Sequence, residues 1–143
     1  MPSIHKNALV PFSAQQMYDL VNDVEAYEQF LPGCKQSRVI EANDTYMKAK
    51  MVLVKAGIEQ ELITENTLVQ NTSIQMHLSQ GPFKSLSGGW RFTPLSEDAC
   101  KIQLDLEFSF TSRLVDMAFG KVFRTLTGNM VKAFSERAKE VYR

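Results

Sequence analysis

The sequence predicts an α+β protein in which a twisted antiparallel sheet of about seven strands curls around one long C-terminal helix. Residues 112–142 place apolar side chains at steps of three and four, the spacing of an amphipathic helix. Residues 35–110 instead alternate polar and apolar side chains between turn residues, which indicates a series of strands. The chain of 143 residues fits a single domain, 1–143, that is large enough to bury a core.

The C-terminal helix is predicted to begin after an N-cap at Ser112. Gly120 and Gly128 lie inside it, and each costs about 1 kcal/mol relative to alanine. These glycines therefore indicate either close packing or space that is left for another group. The apolar face comprises Val115, Phe119, Val122, Leu126, Met130 and Phe134, with Phe123 and Val141 beside it.

The N-terminal segment predicts one strand followed by two short helices. Residues 3–10 form the strand, and Ser13 with Gln16 forms a capping box that starts a helix at Ala14. A second short helix covers residues 24–30 and stops before Pro32. The inner residues of the first helix are predicted to be Met17, Leu20 and Val21.

The strand region predicts one apolar face that receives the helices and one largely charged face. Val52 and Ile63 fall on the charged face by their spacing. Turns are predicted at 43–44, 55–57 and 81–82. The positions predicted to face inward are Met47, Ala49, Met51, Leu53, Ile58, Gln60, Leu62, Thr64, Ile74, Met76, Leu78, Gly88, Trp90, Phe92, Ile102, Leu104, Leu106, Phe108 and Phe110.

The space between the sheet and the C-terminal helix has two interpretations. A long helix on a concave sheet makes its best contacts at its ends and along one edge, which leaves room for an apolar ligand. Methionine side chains at Met47, Met51, Met76 and Met130 can adapt to such contents. The same pattern of Met and Phe is also typical of a filled core.

Charge is distributed unevenly although the net charge is zero. Residues 1–111 carry 9 basic and 13 acidic side chains, whereas residues 112–143 carry 7 basic and 3 acidic ones. Four cations are predicted to lie opposite the apolar stripe of the helix: Lys121, Arg124, Lys132 and Lys139. They form either an ordinary solvated face or a patch for a phosphate-rich partner.

The sequence favours a soluble, cytoplasmic binding protein over an enzyme. It shows no secretory signal and no apolar run that could span a membrane. Cys34 and Cys100 lack metal-ligand spacing, so we expect no metal site. His5 and His77 have no nucleophile motif near them, and the phosphate-loop, GxSxG and HExxH motifs are absent. We therefore expect no catalytic residue.

Several segments, in order along nearly the whole chain, resemble the coenzyme Q-binding branch of the START-like (polyketide cyclase/dehydrase, SRPBCC) superfamily. They are YEQFLPGC at 27–34, GPFKSL at 81–86, GGWRFTPL at 88–95 and the terminal residues 130–142. Residues 8–11, 21–24 and 118–120 are also similar to a bacterial subfamily of ribosome-association toxins.

This resemblance implies a helix-grip fold with a tunnel between the sheet and the C-terminal helix. The implied ligand is ubiquinone or a related isoprenoid lipid, and no cofactor is required. The resemblance places the tunnel mouth at Phe30, Leu31, Pro32, Gly81, Pro82 and Phe83. It places the tunnel lining at Met51, Leu62, Met76, Trp90, Phe92, Leu104, Phe108, Phe119, Phe123, Leu126, Met130 and Phe134.

Three hypotheses for the function remain at this point. The first is a non-catalytic carrier that holds a quinone in support of respiration. The second, which can coexist with it, is a toxin that binds the large ribosomal subunit through RNA phosphates and blocks 70S association. The third is a polyketide cyclase or aromatase, but the inward polar residues Gln60 and Thr64 do not make an acid/base pair. The expected partners are a hydrophobic small molecule, the large ribosomal subunit and, transiently, a membrane surface, but not DNA.

Overall fold

The computed structural model describes residues 3–55 and 57–142. Ala56, in the predicted turn at 55–57, lies outside the described residues. The strands are β1 Ser3–Val10, β2 Cys34–Ala42, β3 Tyr46–Lys55, β4 Ile58–Val69, β5 Ser73–Gln80, β6 Phe83–Ser96 and β7 Ala99–Phe110. The helices are α1 Ala14–Asn22, α2 Tyr27–Phe30, α3 Arg113–Val115 and α4 Lys121–Val141, with a 3₁₀ turn at Val24–Ala26 and a π-helical turn at Asp116–Gly120.

All seven strands form one curled antiparallel sheet in the order β1-β7-β6-β5-β4-β3-β2. The first strand closes onto the last one, with Ser3 opposite Glu107 and Val10 opposite Cys100. The remaining neighbours are consecutive along the chain. The predicted α+β architecture, a curled sheet around a long terminal helix, is therefore confirmed.

The N-terminal helix begins as its capping residues predict. The Gln16 backbone N–H donates to the Ser13 hydroxyl over 3.1 Å, and the Ser13 N–H donates to the Gln16 side-chain carbonyl over 2.9 Å. Its predicted inner residues Met17, Leu20 and Val21 are buried. The second predicted helix, 24–30, is confirmed in extent, but its first turn is 3₁₀.

The C-terminal helix runs without a break from Arg113 to Val141 through the π-helical turn. Ser112 caps it as predicted, because its hydroxyl accepts the Val115 N–H over 3.2 Å. The predicted position of Val141 beside the apolar face is wrong, since its side chain is 48% exposed. Ala138 and Tyr142 face the core instead, one helical turn apart, and the Tyr142 hydroxyl donates to the Gln16 carbonyl over 2.8 Å. Among the described residues, no helix has the length and apolar character needed to cross a membrane.

Burial follows the predicted alternation at most positions, and two residues of the charged face are among the exceptions. Val52 and Ile63 are buried although their spacing places them on the charged face. They lie opposite Glu61 and Lys50 on the paired strands β3 and β4, and Lys50 forms an ion pair with Glu61 over 3.3 Å. The aliphatic parts of these two charged side chains can cover the valine and the isoleucine while their charged ends stay in water.

Candidate functional site

A cavity of about 250 Å³ opens between the loop after α2 and the middle of α4. The loop is held in place because Leu31 N–H donates to the Tyr27 carbonyl over 2.8 Å and Val54 N–H donates to the Gly33 carbonyl over 2.8 Å. Gly33 has a φ of +88°, a conformation that glycine adopts without strain. The lining is mostly apolar and consists of Leu31, Pro32, Gly33, Val54, Val122, Thr125, Leu126 and Asn129.

This cavity coincides with part of the predicted tunnel mouth. Leu31 and Pro32 line it, and Leu126 is the member of the predicted tunnel lining that reaches it. Phe30 lies beside it in a surface groove, under the Arg137 guanidinium, which is 5.0 Å from the ring centre. Sequence reasoning missed Val122, Thr125 and Asn129 as lining residues. These three residues follow one another at steps of three and four along α4, and that spacing was a signal that could have found them.

The other half of the predicted mouth has a different role. Gly81 is exposed, and the Pro82 carbonyl accepts the Thr111 N–H over 3.2 Å, so both residues form the turn between β5 and β6. Phe83 is buried, with its ring centre 4.8 Å from that of Phe123. The placement of Phe83 at an opening is therefore wrong, because the ring belongs to an aromatic cluster under α4.

Aromatic rings fill much of the interior that was predicted to form the tunnel. The ring centres of Phe108 and Phe123 are 4.9 Å apart, and those of Trp90 and Phe134 are 5.3 Å apart. These distances are typical of rings in direct contact. Met51 and Met76 are partly buried, whereas the other predicted lining residues are buried: Leu62, Trp90, Phe92, Leu104, Phe108, Phe119, Phe123, Leu126, Met130 and Phe134.

Two buried residues next to the cavity, Tyr27 and Cys34, carry ionisable groups with raised pKa values. Burial raises the pKa of the Tyr27 phenol, whose hydroxyl donates to the Val21 carbonyl. Burial also raises the pKa of the Cys34 thiol to about 11. Over the described ranges the buried polar side chains are Ser37, Thr64, Asn66, Ser73 and Thr127. This set supplies hydrogen-bonding groups rather than a general acid or base.

The four predicted cations of the helix are not equivalent. Lys121, Lys132 and Lys139 are exposed, and Lys139 Nζ is 3.7 Å from Glu136 Oε1. Arg124 is only partly exposed, and its Nη1 donates to Asp116 Oδ1 over 3.0 Å. The Arg124 guanidinium also lies 5.7 Å from the ring centre of Phe110. The prediction that Arg124 belongs to a freely solvated face together with the three lysines is therefore wrong.

Comparison with known proteins gives relatives along the whole chain. The chain is 56% identical over 142 residues to the ribosome association toxin RatA of Escherichia coli, covering 99% of this chain and 90% of that protein. It is 28% identical over 141 residues to the mitochondrial coenzyme Q-binding protein COQ10 homolog B of Xenopus laevis, covering 96% of this chain and 58% of that protein.

A solved structure confirms the fold independently of sequence. A START superfamily protein from Mycobacterium smegmatis superimposes with a TM-score of 0.81 over 97% of this chain and 98% of that one, at 21% identity. The family model described as "Polyketide cyclase / dehydrase and lipid transport" matches residues 10–135. Because this match covers most of the chain and agrees with the helix-grip architecture, the chain belongs to the polyketide cyclase/dehydrase and lipid transport family.

Proposed function

We propose that this protein associates with the ribosome, at its large subunit, through the exposed cations of α4. The observation that carries the proposal is the 56% identity over 99% of the chain to a protein named as a ribosome association toxin. This level of similarity moves ribosome binding ahead of quinone binding, the hypothesis that the sequence alone places first. The proposed activity is binding without chemical conversion, and by occupying the large subunit it would block 70S association.

The charge of α4 supplies a physical basis for such binding. Lys121, Lys132 and Lys139 lie on its exposed side, and lysines that meet RNA phosphates release counterions and so gain affinity at low salt. Arg124 contributes less, because leaving Asp116 and the ring of Phe110 would cost it existing contacts. The proposed RNA-contacting set is therefore the three lysines.

Sedimentation with purified large subunits tests this assignment. Replacing Lys121, Lys132 and Lys139 by Glu is expected to abolish co-sedimentation at moderate salt. In variants with one lysine changed to Ala, the slope of log affinity against log salt should flatten by about 0.7 to 0.9 for each lysine–phosphate pair that the substitution removes. The melting temperature should change little, because surface substitutions usually alter stability by less than about 0.5 kcal/mol each.

A matched variant controls for net charge. Replacing Lys48, Lys84 and Lys101, which lie on the sheet, by Glu makes the same change in charge on other elements. We expect this variant to bind the subunit much better than the α4 variant does. Equal binding by the two variants would show that α4 does not contact the ribosome.

A second candidate function is the binding of an isoprenoid quinone at the cavity beside Leu126. The observations that favour it are the apolar lining of that cavity and the distant relative named for coenzyme Q binding. At about 250 Å³ the cavity is smaller than most drug-sized sites, which occupy roughly 300–1,000 Å³. It suits a head group or a few carbons of a tail, and a longer tail would require α4 to move away from the sheet.

Extraction of the purified protein with organic solvent, followed by mass spectrometry, tests this second candidate. We expect a bound quinone from a quinone-producing host and saturable uptake of a short-tailed quinone. Leu126→Trp should fill the cavity and lower uptake at least tenfold, because the indole occupies the space of the ligand. Val141→Trp adds the same side chain at an exposed position and should leave uptake unchanged. A folded wild-type protein with neither bound quinone nor saturable uptake would contradict the assignment.

A further inference from the structure

The two edges of the sheet differ in how their backbone groups are satisfied. At the β2 edge, Ser37 N–H donates to Glu28 Oε1 over 3.1 Å and Val39 N–H donates to Glu25 Oε2 over 3.2 Å. Side chains from the α2 region therefore occupy two backbone donors of that edge. For β1, the only hydrogen-bonded strand neighbour within residues 3–55 and 57–142 is β7. An edge strand of this kind keeps an outward row of N–H and C=O groups that another chain can pair with.

A groove of about 550 Å³ runs along the junction between β1 and α4, which contact each other. Six consecutive residues of the strand and the following turn line one side, which shows that the backbone edge itself borders the space. Residues one helical turn apart line the other side. The full lining is Lys6, Asn7, Ala8, Leu9, Val10, Pro11, Gly128, Val131, Lys132, Ser135 and Lys139.

Gly128 contributes open space to the groove that it lines. A Cβ atom placed on Gly128 would meet no atom within 4 Å. Gly128 therefore destabilises the helix by about 1 kcal/mol relative to alanine. No close packing at this position compensates for that cost. Of the two alternatives that the sequence left open for this glycine, the structure supports the second, space for another group.

Charge identifies the chemistry of the occupant. The charged side chains of the lining are three exposed lysines, Lys6, Lys132 and Lys139. Glu136 lies 3.7 Å from Lys139 on the surface of the helix, a spacing whose exposed ion pairs contribute little. The lining also contains apolar residues, among them Ala8, Val10 and Val131. An extended segment with both acidic and apolar side chains complements this surface.

We propose that this groove binds an extended acidic segment of a partner protein, which pairs with β1 as a further strand of the sheet. Backbone hydrogen bonds to the free edge supply affinity, and the lysines select carboxylates. An inward apolar side chain of the segment occupies the space over Gly128. Single-stranded RNA fits less well, because the lining contains no aromatic ring on which a base could stack.

Titration with synthetic peptides, followed by NMR of backbone amides, tests the proposal. The probe is a capped peptide of about eight residues, the length of β1, in which Glu and Val alternate. We expect saturable shifts at β1 and α4 and slower hydrogen exchange of β1 amides. Lys6→Ala combined with Lys132→Ala and Lys139→Ala should weaken binding at least tenfold. Gly128→Leu should also abolish binding by filling the groove, while a raised melting temperature shows that the variant is folded.

The controls separate this proposal from ribosome binding. Lys121→Ala removes an exposed charge of the same helix outside the groove and should leave peptide affinity unchanged. Lys6→Ala and Gly128→Leu alter the groove but leave all three lysines that we propose to contact the ribosome in place. Three results would overturn the proposal. The first is no binding of the acidic peptide by the wild-type protein, and the second is equally good binding of a peptide alternating Lys and Val. The third is an oligouridylate that binds the groove when the acidic peptide does not.

Discussion

Glu28 connects a short helix to the edge of the sheet through one carboxylate oxygen. Its Oε1 accepts Ser37 N–H over 3.1 Å and Arg38 Nη1–H over 2.6 Å. The Glu28 backbone N–H in turn donates to the Ser37 hydroxyl over 3.2 Å. The backbone N–H of Ser37, and then the Arg38 guanidinium, lower the pKa of this carboxyl group below its usual value.

The lowered pKa of Glu28 predicts a dependence of stability on pH. Because the pKa is lower in the folded state, the carboxylate stabilises the fold above the unfolded pKa, and this contribution is lost as pH falls through the folded pKa. Glu28→Gln should therefore lower the urea midpoint near pH 7 and have a smaller effect at about pH 3. Urea unfolding at both pH values measures this. An equal loss at both would indicate that the charge of Glu28 does not matter.

The C-terminal helix contains two glycines that serve opposite purposes. Gly128 faces open space. Gly120 ends the π-helical turn and is buried. A Cβ atom at Gly120 would collide with the Asp116 carboxylate and the Arg124 guanidinium, which pair across this position. Close packing therefore explains Gly120, whereas open space explains Gly128.

Alanine substitutions distinguish the two glycines. Gly128→Ala should stabilise the protein by about 1 kcal/mol through helix propensity alone. Gly120→Ala should leave stability unchanged or lower it by about 1 kcal/mol, because Arg124 must leave Asp116 and its aromatic contacts. Thermal unfolding by circular dichroism compares the two variants with the wild type. Equal stabilisation by both would show that the Arg124 contacts have no energetic weight.

The sheet of this protein is completed when its first strand pairs with its last one. Ser3 lies opposite Glu107 and His5 opposite Asp105, so residues about a hundred positions apart must meet before the sheet is complete. Proteins dominated by such distant contacts fold slowly, because the entropy of closing the chain is lost before the contacts form.

Trp90 allows this expectation to be measured. It is the single tryptophan of the chain and is buried against Phe134. Refolding followed by its fluorescence should occur in about milliseconds to seconds. Loss of the first strand by deletion of residues 1–10 should prevent the native signal from appearing. Microsecond refolding of the full chain, or a native signal from the shortened chain, would contradict the importance of the β1–β7 closure.

The architecture of this protein could be predicted from its sequence without reference to any coordinates. Alternation in β7, the capping box at Ser13 and the helical spacing from Val115 to Phe134 each reflect local rules that act within a few residues. Those rules sufficed for the order of the elements along the chain, the bounds of the helices and the inward faces of most strands. The family resemblance was also carried by the sequence, and the comparisons confirm it.

The location of open space, by contrast, depends on the tertiary structure. Val52 and Ile63 are buried opposite charged residues of the paired strands, and Phe83 joins rings from β7 and the C-terminal helix. Whether a glycine leaves room or relieves crowding likewise depends on what lies opposite it. These outcomes arise from contacts between residues far apart in the chain. Helical and strand periodicity assigns each side chain to a face but does not show how completely that face is filled.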